Sequence, residues 1–525
     1  MPRIEMSGSS INHTTTVHNM NDDVLHTIFM LASTDPWYQP DIDTARMTSQ
    51  VCRSWRRILL HSPLIWGRLV IFRDAETERT SPQWLFEVIR RSGSSPLWVT
   101  ASVDITRDEN SLHEYRSKAV PLFLRCLKDN WKRVENLNIL VTTSGTSSSI
   151  DTEDWGVFYS PAPALRSFIV EINLPDFPSM PEKLLGGYAP HLEHFESNFF
   201  YIRRPVLSLG AFIHTFIFKN TGVGHVTATV TVEELSDILC FTPKLESLVV
   251  SSDIKVDVDY VQGGLKKLPS ASLPSLKNIE IEDDLHTCIL LLNSIIDIPP
   301  SCTVNVVASI NLRSPSLSTT MSLLPNFGQR LFNRSSERDG HMILREESIR
   351  IETHSSINVV LTLCIYWTKC LTFPVQYIPI LEEVVSSSNL RNTTKLRLTM
   401  HVSDPPELLA MFASLTSVTH VETDIHALRS YNISSREMVI SGSIIPLPFP
   451  SLRKLTVTGF GHNWMVRDLA RFLSYREELR TPIHEVVLLG NQFAGTLYNQ
   501  DVVSTTDLRP LKDFRELHVF WEDRL

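Results

Sequence analysis

The chain has 525 residues, 42% of them hydrophobic and 20% charged, and a formal net charge of −9. At about 100–200 residues per domain, that length excludes one compact core, and the apolar fraction excludes a wholly disordered chain. The acidic balance provides no overall pull toward nucleic acid or anionic lipid, so neither is an expected partner.

Residues 1–19 read as a flexible, polar, Ser/Thr-rich N-terminus with no apolar stretch of the kind a secretory signal needs. Helical periodicity begins at Asp22, with Asn21 or Asp22 as cap and Val24, Leu25, Ile28, Phe29 and Ala32 recurring at helical spacing. Pro36 stops that helix. A second helix is expected from Thr44 to Leu60, burying Met47, Val51, Trp55, Ile58 and Leu59, with Arg53, Arg56 and Arg57 to one side. Ser62-Pro63 then opens a third short helix carrying Leu64, Ile65 and Trp66. Residues 20–70 are therefore expected to form a three-helix bundle, which at this size needs a partner surface.

The blocks Met20-Asn-Asp-Asp-Val-Leu-His-Thr-Ile-Phe29, Ser49-Gln-Val-Cys-Arg-Ser-Trp-Arg-Arg-Ile58 and Ser62-Pro-Leu-Ile-Trp66 together resemble an F-box. The likeness extends to the F-box families abundant in mushroom-forming fungi, and it covers about a tenth of the chain. Met20-Asn21 stands where the family has Leu-Pro, a departure that bears on adaptor affinity. The resemblance implies that Met20, Asn21, Leu25, Ile28, Val51, Trp55, Leu64 and Trp66 fall in the blocks that dock a Skp-type adaptor.

Residues 71–133 read as a connector. Trp84, Leu85, Val88 and Ile89 form a helical stripe that stops at Gly93, and an extended segment follows from Pro96 to Val103. From residue 134 a short pattern returns, apolar-x-x-apolar-x-apolar. Its copies begin at Val134, Leu165, Ile213, Leu245, Leu276, Leu452, Ile483 and Phe514, with degenerate ones at Leu192, Leu396 and Val418. Several follow a Pro and a small or polar residue, as at Thr242-Pro-Lys, Leu273-Pro-Ser and Phe449-Pro-Ser. Apart from the gap between Leu276 and Leu396, successive copies start about 21 to 34 residues apart, often about 31, which is the spacing of stacked repeats.

Amphipathic helices are expected between copies, at Val232–Leu239, Leu285–Ile296, Tyr377–Val385, Glu407–Phe412 and Met465–Tyr475. One strand and one helix per period is the logic of leucine-rich repeats. The asparagine of that signature occurs only at Asn491, so residues 134–525 are expected to form an irregular leucine-rich-repeat-like α/β solenoid. An ordinary α/β domain remains the alternative. Residues 313–347, Ser-rich and charged, are expected to interrupt the array as a loop or as two weak units, and Thr142–Ile150 to form a loop or linker. The fold class expected overall is α+β: a small N-terminal helical bundle, then the solenoid.

No catalytic, cofactor-binding or metal-binding set emerges. The chain lacks a G-x-S-x-G elbow, an H-E-x-x-H helix and a P-loop. Gly222-Val-Gly224 and Gly459-Phe-Gly461 read as turns, and His191 with His194 as surface histidines. The adjacent pairs Glu233-Glu234, Asp283-Asp284 and Glu477-Glu478 read as solvated faces, because neighbouring side chains diverge. The seven cysteines have no zinc or disulfide spacing, and no apolar run reaches the length of a membrane span.

The resemblance implies a substrate-recognition subunit of an SCF-type cullin ubiquitin ligase: no enzyme itself, free of cofactors, and cytoplasmic or nuclear. Its partners would be a Skp-type adaptor with its cullin complex at one end and a target protein on the repeats. Two alternatives stay open, a repeat scaffold outside any ligase and a hydrolase or transferase whose site the repeats hide.

Overall fold

The computed structural model describes residues 20–32, 42–73, 82–104, 113–142, 152–173, 184–198, 210–219, 230–251, 254, 268–310, 317–332, 339–345, 348–354, 359–367, 378–387, 393–400, 411–424, 428–429, 447–460, 463–490, 509–512, 514 and 516–522. Helices and strands share these residues, and most strand pairings are parallel, so the chain is of mixed α and β structure. It divides into two compact units, Met1–Phe200 with Gly222–Val226, and Tyr201–Thr221 with Thr227–Leu525.

The first unit opens with four helices, not three: α1 (Asp22–Ala32), α2 (Ile42–Val51), α3 (Arg53–Leu60) and α4 (Pro63–Arg68). Asn21 caps α1, its Oδ1 accepting the Asp23 N–H at 3.1 Å and its carbonyl accepting the Leu25 N–H at 3.0 Å. The single helix expected over Thr44–Leu60 breaks at Cys52, where φ −155° and ψ 170° are extended. Cys52 restarts the helix as an N-cap, its Sγ accepting from the Trp55 N–H, and Trp55 then meets Phe29 edge-on at 4.9 Å. Ser62 caps α4, accepting the Ile65 N–H at 3.4 Å, and bonds His26 Nε2 at 2.6 Å, which ties α1 to α4. Gly67 has a steric reason: a Cβ there would collide with the Pro96 carbonyl oxygen.

The same unit continues with β1 (Val70–Arg73), α5 (Pro82–Ser92), β2 (Leu97–Asp104), α6 (His113–Asn130), β3 (Val134–Thr142), β4 (Ser167–Asn173) and β5 (His194–Ser197). The strands pair in chain order, all parallel: β1 with β2, β2 with β3, β3 with β4, β4 with β5. Alternation decides what each strand buries. Leu137, Ile139 and Val141 of β3 and Phe168 and Val170 of β4 are almost fully buried. Phe168 stacks on Phe195 at 5.6 Å and meets Phe158 edge-on at 5.8 Å. The sequence does not predict helix α6, because Pro121 interrupts its apolar run and argues against a helix interior.

The second unit contains β6 (Thr215–Lys219), α7 (Val232–Cys240), β7 (Ser247–Ser251), β8 (Ala271–Ser272), β9 (Asn278–Asp284), α8 (Leu285–Ser294), β10 (Ile295–Ile296), β11 (Thr303–Ile310), α9 (Leu317–Phe332), β12 (Asp339–Arg345), β13 (Ser348–His354), β14 (Val359–Trp367), α10 (Ile378–Ser387), β15 (Lys395–Met400), β16 (His420–Asp424), β17 (Lys454–Phe460), α11 (Asn463–Glu478), β18 (Glu485–Gly490) and β19 (His518–Glu522). Parallel pairing runs β6–β7–β9–β11–β14 and again β12–β15–β16–β17–β18–β19. Strand β13 is antiparallel to both β12 and β14 and joins the two runs. Among the described residues the short strands β8 and β10 pair only with each other. Of the two alternatives for the segment 313–347, a loop or weak units, the described residues show a helix and a strand and not a loop. Its Ser-rich composition hid them, because polar residues obscure periodicity. Of the expected helix Glu407–Phe412, residues 407–410 lie outside the described residues, as does Asn491.

Two hydrogen-bond patterns recur with the sequence period. Before a strand, the apolar residue donates its N–H across a proline to the residue three earlier: Leu165 to Ala162, Leu192 to Ala189, Leu245 to Thr242, Leu276 to Leu273 and Leu452 to Phe449. Proline suits the second position of such a turn because its φ is already set. The next two N–H groups then converge on one carbonyl a period earlier. His214 O accepts from Glu246 and Ser247 at 2.8 and 3.0 Å, Thr419 O from Arg453 and Lys454 at 2.9 and 3.0 Å, and Arg166 O from Glu193 and His194 at 2.8 and 3.0 Å.

Candidate functional site

The outward face of the helical bundle is the most distinctive surface among the described residues. Helix α1 is apolar on both sides. Leu25 and Phe29 point inward and are 4% and 2% exposed, whereas Met20, Val24, Ile28 and Leu31 are 42, 49, 42 and 66% exposed. Spacings of four and three residues put Val24, Ile28 and Leu31 on one stripe, and Met20 lies just ahead of the helix. Helix α2 repeats the pattern with Met47 and Val51, 69 and 59% exposed, and Leu60 and Leu64 add exposed apolar groups on α3 and α4. Isolated surface apolar groups are ordinary, but stripes on adjoining short helices mark an interaction surface.

The residues implied by the resemblance divide by position. Met20, Ile28, Val51 and Leu64 are exposed, and Asn21 is exposed while capping α1. Trp55 is half-buried against Phe29. Leu25 and Trp66 lie in the core, so neither is available to a partner. Trp66 donates its indole N–H to Leu59 O at 2.9 Å, and the guanidinium of Arg91 lies 4.5 Å over its ring. Val24, Leu31 and Met47 belong to the surface yet were absent from the sequence-based set. The apolar spacing predicts Met47 in the core with Val51, but both are exposed, and the break at Cys52 that ends α2 leaves no mark in that spacing.

The strand regions carry charge in a different way. In the first unit Arg166 bridges Glu135 at 3.1 Å and Glu193 at 2.9 Å, three residues that occupy the same place in successive copies. In the second unit Lys277 meets Glu246 at 2.6 Å and Lys454 meets Glu485 at 2.6 Å. These rows neutralise themselves. Buried polar groups are likewise consumed by architecture. Asn198 accepts the Ile172 N–H at 2.7 Å, linking two periods through a side-chain amide. The guanidinium of Arg476, wholly buried, donates to the carbonyls of Thr481, Pro448 and Phe449 at 3.0, 2.9 and 3.3 Å.

The pair Asp283-Asp284 is not the solvated face expected of it. Asp284 caps α8, accepting the N–H groups of His286 and Thr287 and the hydroxyl of Thr287. Asp283 accepts the Ile254 N–H at 2.9 Å, and burial pushes its carboxyl up to about 8. Both partners come from the fold, so the arrangement is a turn staple. Glu234 is also structural, completing a capping box with Thr231 on α7. His191 is exposed, and His194 Nε2 lies 3.6 Å from Glu196. Of the two glycine pairs, Gly459 sits in β17, while Gly222, Gly224 and Gly461 lie outside the described residues. Among the described residues no group of three His, Cys, Asp or Glu side chains converges to hold a metal ion. No described helix is long and apolar enough to cross a membrane. Neither a protein-family model nor any curated protein matches the chain.

Proposed function

We propose that the chain is the substrate-recognition subunit of an SCF-type cullin ubiquitin ligase, acting in the cytoplasm or nucleus. In this reading helices α1 to α4 are an F-box that docks a Skp-type adaptor, and the strand regions are an irregular leucine-rich-repeat-like solenoid that holds a target protein. The observation that carries it is the outward apolar stripe of α1, continued by Val51 and Leu64, opposite a well-packed inner face of Leu25 and Phe29. A stable fold has no use for such a stripe in water; a helix-binding partner does. The recurring turn-and-carbonyl pattern supports the repeat half of the reading, because it is what stacking one unit on the next requires.

The chain makes no bond itself under this proposal. It raises the effective concentration of the target at the ligase by holding one partner at each end. Co-purification of the full chain with a Skp-type adaptor tests it. The wild-type chain is expected to retain the adaptor, and Ile28→Glu combined with Val51→Glu to lose it while remaining folded by circular dichroism. Failure of the wild-type chain to retain the adaptor would leave a scaffold outside any ligase.

A further inference from the structure

The basic residues of the bundle form a pattern that adaptor docking by apolar contact alone does not use. On α3, Arg53, Arg56, Arg57 and Leu60 are spaced by three, one and three residues and share the outward face, and no acidic residue lies on that helix. Arg46 lies on the exposed face of α2, next to Met47 and Val51. Two contacts tie the basic stripe to both apolar ones. Arg57 Nη2 reaches Asp22 Oδ2 at 3.1 Å, at the start of α1, and Arg56 Nε donates to Ser49 O at 3.1 Å, near the end of α2. Arg46, Arg53 and Arg56 make no ion pair among the described residues. Asp23 and Asp43 sit in the first turns of α1 and α2, where the positive ends of the helices already favour a carboxylate.

We infer that the adaptor surface meeting this face is acidic as well as apolar, with carboxylates bordering the groove that receives Ile28 and Val51, and that these arginines steer the encounter. The inference rests on the proposed adaptor reading and specifies the chemistry of the partner. A run of exposed guanidinium groups in a chain of net charge −9 is a local reversal of sign. Such a reversal speeds association with an oppositely charged surface by about tenfold or more and is screened by salt. An anionic membrane is less well matched, because the apolar groups are spread over four short helices folded on one another and not along one continuous helix.

The test is the association rate of full-length chain and Skp-type adaptor on a biosensor, at low and high salt. The variant combines Arg46→Gln, Arg53→Gln and Arg56→Gln, and leaves the Arg57–Asp22 pair intact. Its thermal melt should stay close to wild type, since all three side chains are exposed and the one bond lost, from Arg56 to Ser49 O, is solvent-exposed. The wild-type rate is expected to fall about tenfold between low and high salt, and the variant to associate about tenfold more slowly at low salt with little change in dissociation. Binding that ignores both salt and the substitutions overturns this inference and leaves the adaptor reading standing. Absence of adaptor binding overturns both. Self-association, or binding to phosphatidylserine vesicles, that disappears in the variant would show that a different occupant uses the stripe, and would overturn the inference as well.

Discussion

The helical bundle and the strand regions handle their outward side chains in opposite ways. Along the strands the outward charges meet partners from the neighbouring copy, as Arg166 does with Glu135 and Glu193. On the bundle the outward residues are Met20, Val24, Ile28 and Met47, apolar and exposed, beside Arg46, Arg53 and Arg56, which make no ion pair among the described residues, and Arg57, which pairs with Asp22. A surface that satisfies itself is architecture, whereas one that leaves apolar area in water is completed by another molecule. The contrast confines the proposed docking surface to about fifty residues and assigns most of the buried polar chemistry elsewhere to stability.

Substitutions should separate the two regions by the size of their effect. Phe168→Ala opens a cavity between Phe158 and Phe195 and is expected to lower unfolding free energy by about 3–5 kcal/mol, measured by urea denaturation. Arg476→Met strands the carbonyls of Pro448, Phe449 and Thr481 and should cost about 3 kcal/mol by the same measurement. Asp283→Asn should change a slope. The folded carboxyl titrates near 8 against an ordinary value of 3.8, so the folded state holds a proton that the unfolded state releases. Its contribution to stability is therefore complete below about pH 4 and is lost as pH rises through about 8. Unfolding curves across that window should be flatter in the variant, whose amide oxygen still accepts the Ile254 N–H. Arg166→Gln should cost less than about 1 kcal/mol, since its two ion pairs are solvent-exposed. Ile28→Ser should stay within about 0.5 kcal/mol, although it removes a large apolar side chain, because that side chain packs little in the free chain. A large loss at Ile28 would mean that the stripe belongs to the fold, and the contrast between the regions would fail.

Strand positions were the most legible part of the sequence. Leu137, Phe168, Leu248, Ile279 and Val486 are all buried on strands, because an apolar residue that must face a core every second position imposes itself on the pattern. The turns before the strands were marked by Pro243, Pro274 and Pro450. Helix breaks were not legible: nothing in the apolar spacing around Cys52 distinguishes a continuous helix from a restarted one. Pro121 concealed α6, and the Ser-rich stretch near residue 313 concealed α9. The candidate site was read in part. Its residue types are visible, but which side of a short amphipathic helix faces inward depends on its neighbours, so within the docking blocks the spacing does not separate Leu25 and Trp66, which are core, from Met47, which is exposed. Asn198 is not legible from the repeat signature, because it stands nearer its strand than that signature places an asparagine.

Calorimetric titration of the full chain with a Skp-type adaptor tests the central claim most directly. The account predicts a one-to-one complex with a negative heat-capacity change for the wild type, as apolar area leaves water, and loss of binding in the Ile28→Glu, Val51→Glu double variant at unchanged unfolding free energy. Unaltered binding by that variant, or none by the wild type, would contradict it.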